Sequence, residues 1–79
     1  MRIKIINQNV VPYADGEFLI QYQDEGGEGY EGFSGTLDQA IAHGAAEGEK
    51  DGAERVSVWG HENINGNVLS KVGAMIFPA

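Results

Sequence analysis

The segment Thr36-Leu37-Asp38-Gln39 constrains this chain more than any other, because it announces a helix at one defined residue. Threonine followed three positions later by glutamine is the spacing of a capping box, in which each residue's side chain satisfies the other's free backbone N–H. Asp38 adds negative charge where the helix dipole favours it. The spacing predicts a helix from Leu37 to Lys50. Its buried stripe is Leu37, Ala40, Ile41, Gly44, Ala45 and Gly48, at helical intervals of three and four. A glycine inside a helix costs about 1 kcal/mol relative to alanine. Two of them on the buried stripe point to close approach of a sheet, and Gly52 is the natural stop.

The segments on either side alternate with the two-residue period of strands. Arg2-Ile3-Lys4-Ile5-Ile6-Asn7 forms a first strand that runs on toward Val11 and is halted by Pro12. Ala14-Asp15-Gly16 is a hairpin turn, leading into a second strand from Glu17 to Gln23 with Phe18, Ile20 and Tyr22 on one face. Tyr30-Glu31-Gly32-Phe33 makes a short third strand, Arg55 to Trp59 a fourth, and Val68 to Phe77 a last one after the Asn65-Gly66 turn. The order is β-β-(β)-α-β-β. The expected fold is therefore α+β, a single domain over residues 1–79, with an antiparallel sheet of four to five strands and one helix packed on one face. A chain of 79 residues buries only about 60 to 65 % of its unfolded surface. With no cysteine to staple it, stability has to come from sheet and helix packing.

Charge separates the chain into two parts. Eleven of the twelve acidic residues lie between Asp15 and Glu54, where Lys50 is the only base. The formal net charge is -7. Such a balance repels nucleic acid and anionic membrane and steers the chain toward basic protein surfaces. No apolar run approaches the ~18 residues of a membrane span, and MRIKIINQNVV lacks the unbroken apolar stretch of a signal peptide. The expected compartment is the cytoplasm of a bacterial host.

The stretch DEGGEGYEGFSGT, residues 24 to 36, holds Gly27, Gly29 and Gly32 in the G-x-G-x-x-G spacing of dinucleotide-binding loops. That motif works between a buried parallel strand and a helix whose N-terminus receives the pyrophosphate. Here the strand before it is amphipathic, the cap falls four residues later, and Asp24, Glu25, Glu28 and Glu31 would oppose a phosphate. Calcium fits no better, since the ligand order of an EF-hand is missing. His43 and His61 lack the partners of a zinc or acid-base site, so no metal, cofactor or enzyme activity is expected. The aromatics lack the interleaved bases of a single-strand stacking platform, although Tyr30 and Trp59 are candidates for facing a protein partner.

GEFLIQYQDEGGEGYEGF followed by GTLDQAIAHGAAEG, from residue 16 to about 60 with the strand that follows, resembles the small β-β-β-α-β domains of HicB-like antitoxins. The resemblance implies the same element order and an antitoxin-like binding role. In size, acidity and single helix the chain is also similar in general character to the anti-CRISPR proteins of bacterial phages, small domains that bind a Cas subunit and block target DNA. That similarity implies a basic nucleic-acid-binding protein as partner, with a Cas effector subunit as one instance.

The leading expectation is a non-enzymatic inhibitor, phage or mobile-element encoded, monomeric or homodimeric, that blocks DNA access without itself binding nucleic acid. Alternate residues of a strand project side chains ~6.6 Å apart, so a row of carboxylates can imitate phosphates. The partner-binding candidates are Asp24, Glu25, Glu28 and Glu31, supported by Asp38 and Glu47 on the helix. The alternative is an antitoxin-like or other binding module that uses an apolar edge strand or the Trp59 face.

Overall fold

The computed structural model describes every residue from Met1 to Ala79. Its elements in chain order are β1 (Arg2–Ile5), β2 (Phe18–Asp24), β3 (Gly27–Phe33), α1 (Leu37–Asp51), β4 (Arg55–Ile64) and β5 (Asn67–Phe77). The chain is α+β, with one helix and one five-stranded antiparallel sheet in the order β1-β5-β4-β2-β3.

The helix ends obey the local chemistry of their sequence. The Thr36 hydroxyl accepts from the Gln39 N–H at 3.1 Å, and the Gln39 side chain accepts from the Thr36 N–H at 3.0 Å. Gly52 closes the helix in the left-handed conformation, φ 71°. Ala40, Ile41, Gly44 and Gly48 are its buried residues. A Cβ on Gly48 would lie 2.5 Å from Val56 Cγ2, and one on Gly44 would lie 3.2 Å from Val56 Cγ1 and 3.3 Å from Ile20. The backbone of α1 thus rests on β2 and β4 at a distance that only glycine permits at position 48. Phe18, Ile20, Val56, Val58, Ala74 and Ile76 complete the core from the sheet.

Strand pairing differs from the expected hairpin order at the N-terminus. The turn at Asp15-Gly16 is real: Gly16 has φ 83°, and its N–H donates to the Tyr13 carbonyl at 2.8 Å. It joins Tyr13 to Glu17 and does not pair β1 with β2. β1 stops at Ile5 and pairs with β5, Ile3 opposite Ile76 and Ile5 opposite Ala74. Val11 instead makes an isolated bridge to His61 of β4, and Pro12, with no N–H, ends it there.

The third strand is longer than its sequence suggests. All seven residues of β3 pair with β2, from Asp24 opposite Gly27 to Phe18 opposite Phe33. Only Glu25 and Gly26 lie outside the ladder, so the acidic glycine stretch is a tight hairpin and not a flexible loop. β4 and β5 extend well past Trp59 to a turn in which Asn65 and Gly66 both have positive φ, 51° and 83°. A pair of that kind suits the twist of a two-residue hairpin.

Candidate functional site

An open groove of about 640 Å³ runs between the β2–β3 hairpin and the C-terminal half of α1. Asp24, Glu28, Glu31, Glu47 and Asp51 line it, together with Tyr22 and Tyr30, and no lysine or arginine does. Gly26, Gly27, Gly29 and Ala53 complete its lining. At Gly29 nothing lies within 4 Å of where a Cβ would stand.

The hairpin positions its acids through register. Ile20 faces Glu31 across the ladder and Tyr22 faces Gly29, so Glu31 and Tyr22 stand on the sheet face that carries the buried Ile20. Glu31 accepts the Tyr22 hydroxyl at 2.8 Å and lies 2.8 Å from His43 Nε2 of α1. The His43 ring is itself tilted against Phe33, with centroids 5.0 Å apart. The Tyr22 hydroxyl is the main reason that the Glu31 carboxyl is held below its ordinary range; partial burial opposes this, and His43 adds to it. Tyr22 is displaced the other way. Burial pushes its hydroxyl well above the usual tyrosine range, followed by the bond to Glu31 and by the negative charges of Glu31, Glu47 and Asp51.

Glu28 and Tyr30 border the same groove from the other side of the edge strand. Glu28 pairs opposite Gln23 and Tyr30 opposite Gln21, on the face that carries Trp59. The Tyr30 hydroxyl donates to Glu28 at 2.7 Å, and this bond raises its pKa first of all. Glu28 and Glu31 therefore point to opposite faces. A phosphate-like row along β3 does not exist, because their spacing of three residues is odd and the strand period is two. Glu31 gathers instead with Glu47 and Asp51 of α1 around Tyr22, from two different elements.

The other sequence candidates lie elsewhere. Glu25 occupies the exposed turn beyond Asp24, whose Oδ1 accepts from the Gly26 N–H at 2.8 Å. Asp38 is in the first turn of α1, about 13 Å of helix from Glu47. Trp59 lies opposite Leu19 and donates its indole N–H to Gln21 at 3.0 Å, away from the groove. Three residues of the groove or beside it, Tyr22, Asp51 and His43, were not among the partner-binding candidates read from the sequence. His43, Glu47 and Asp51 follow one another at intervals of four, which already put them on one stripe of the helix.

No three His, Asp or Glu side chains converge as ligands for a metal ion. No helix is long and apolar enough to cross a membrane. The chain matches no protein-family model, no curated protein and no solved structure.

Proposed function

We propose that this chain is a small acidic interaction protein, phage or mobile-element encoded, that docks on the basic surface of a nucleic-acid-binding protein and blocks its access to DNA in a bacterial cytoplasm. One observation carries the reading: five acidic residues from a hairpin and a helix border one groove that is lined by no lysine or arginine. An exposed ion pair is worth only ~0 to 1 kcal/mol, but several converging on one groove form a network that a lysine- or arginine-rich surface can match. Opposed fields of this kind raise the association rate and make the complex sensitive to salt. A Cas effector subunit is one partner of this class. The chain acts without catalysis.

In this reading α1 is packed on the Ile20 face of the sheet alone, which leaves the Trp59 face free. That face supports a second reading, a HicB-like antitoxin or other binding module. Leu19, Trp59, Met75 and Phe77 are all only partly buried there, with no element of the chain assigned to cover them.

Displacement of DNA from basic nucleic-acid-binding proteins, a Cas effector complex among them, tests the proposal. A charge-driven complex weakens steeply between about 50 and 200 mM salt, and an apolar one hardly responds. Salt-insensitive binding that is lost on Trp59→Ala selects the second reading.

A further inference from the structure

The sheet ends in two strands of opposite charge. β3 forms one edge and β1 the other, and no backbone hydrogen bond reaches the outer side of either. β3 lacks the lysines, prolines and bulges that usually protect an edge. It runs in unbroken register for seven residues, and Gly27 and Gly29 leave its backbone bare. β1 carries Arg2 and Lys4 on one face, both exposed, and Ile3 and Ile5 on the other, 50 % and 52 % exposed.

Cross-sheet rows connect the two edges. Lys4, Met75, Ser57, Gln21 and Tyr30 follow one another across all five strands, each opposite the next. On the other face the corresponding row is Ile3, Ile76, Val56, Tyr22 and Gly29. Because the strands alternate in direction, the first and the fifth run the same way. Arg2 precedes Lys4 by two residues as Glu28 precedes Tyr30.

We propose that β3 pairs in parallel with β1 of a second copy, so that the sheet continues from one molecule into the next. Continuing the rows sets the second copy's Arg2 beside Glu28, its Lys4 beside Tyr30, and its Ile3 over the open space at Gly29, against Tyr22. Charge selects this junction among the three possible edge pairings. Joining β1 to β1 sets Arg2 and Lys4 of one copy opposite those of the other, and like charges directly opposite are destabilising; joining β3 to β3 offers Glu28 and Glu31 no base to pair with. The junction is heterologous and does not close on itself, so it builds linear assemblies. Four residues of β1 span only about 13 Å of ladder, which makes each junction weak and the assembly dependent on concentration. The proposal rests on register and edge charge and does not depend on the identity of the groove's partner.

Sedimentation velocity at fixed ionic strength, from micromolar to millimolar protein, tests it. The wild-type chain gains mass with concentration. Arg2→Glu and Glu28→Lys each lower the association constant at least tenfold, while Lys50→Glu, with the same charge change as Arg2→Glu but on the helix, leaves it unaltered. Mixing the Arg2→Glu and Glu28→Lys proteins restores assembly, because each reversed edge then meets its complement. Circular dichroism confirms that each variant is folded; should Arg2→Glu not fold, Lys4→Glu takes its place in the mixture. A wild-type chain that stays monomeric throughout, or a mixture that fails to recover, overturns the proposal.

Discussion

Tyr22 donates its hydroxyl to Glu31 at 2.8 Å from the neighbouring strand, and the two groups displace each other's titration in opposite directions. This pair ties the wall of the acidic groove to the core, since Tyr22 also packs against the buried cluster. Removing the hydroxyl with Tyr22→Phe should move the Glu31 carboxyl back toward the ordinary range. NMR titration of the Glu31 side-chain carbon measures this directly, and an unchanged midpoint in Tyr22→Phe would show that the hydroxyl is not the dominant cause.

The same pair sets the sign of an acid effect. A carboxyl whose folded pKa is depressed stabilises the fold above its unfolded pKa, and that contribution disappears as the pH falls through the folded value. Urea unfolding should therefore show the wild-type chain losing stability below about pH 4.5 more steeply than Glu31→Gln does. Glu31 is partly exposed, so the difference should stay within ~1 kcal/mol. Parallel curves for the two proteins would contradict the assignment.

Gly48 and Gly44 offer a graded test of how closely the helix approaches the sheet. A methyl at position 48 would meet Val56 at 2.5 Å, whereas at position 44 the contacts are 3.2 and 3.3 Å. Alanine gains up to ~1 kcal/mol from helix propensity, but overpacking a tight core costs about 1 to 3 kcal/mol. Gly48→Ala should be destabilising by about 1 to 2 kcal/mol, and Gly44→Ala by less or not at all. Denaturant midpoints at constant slope decide this, and a stabilised Gly48→Ala would mean that the two layers stand further apart.

The helix cap is the third point of leverage. Thr36 and Gln39 satisfy each other's backbone groups, and removing the threonine hydroxyl leaves the Gln39 N–H without its acceptor. Thr36→Ala should lower stability by ~0.5 to 2 kcal/mol, and Thr36→Ser should restore most of it. Thermal unfolding of the two variants checks the order.

What could be read from the sequence followed how local the signal was. The helix was legible to within one residue, because its cap at Thr36, its stripe and its stop at Gly52 are all encoded within the segment itself. Strand pairing was not. Ile3 meets Ile76 across more than seventy residues, and no local pattern distinguishes that partner from the strand that follows Asp15-Gly16. The acids of the hairpin were visible as a group, but the glycines concealed a seven-residue strand, so the opposite orientations of Glu28 and Glu31 went unseen. Asp24, Glu28, Glu31, Glu47 and Tyr30 border one groove, while Glu25, Asp38 and Trp59 lie outside it. Tyr22 and Asp51 were absent from the sequence candidates because a tyrosine in an apolar alternation reads as core, and an aspartate before a glycine reads as a helix end.

The side chains of Glu47 and Asp51 make no hydrogen bond, which makes them the cleanest handles on the groove. Surface changes of this kind usually alter stability by less than ~0.5 kcal/mol. The most direct test of the central claim is a competition measurement in which the Glu47→Lys/Asp51→Lys chain and the wild-type chain displace DNA from the same basic nucleic-acid-binding protein at low salt. The account predicts that the wild-type chain releases the DNA, and that the double reversal abolishes release while its unfolding midpoint hardly moves. Undiminished release by the folded double variant would contradict it.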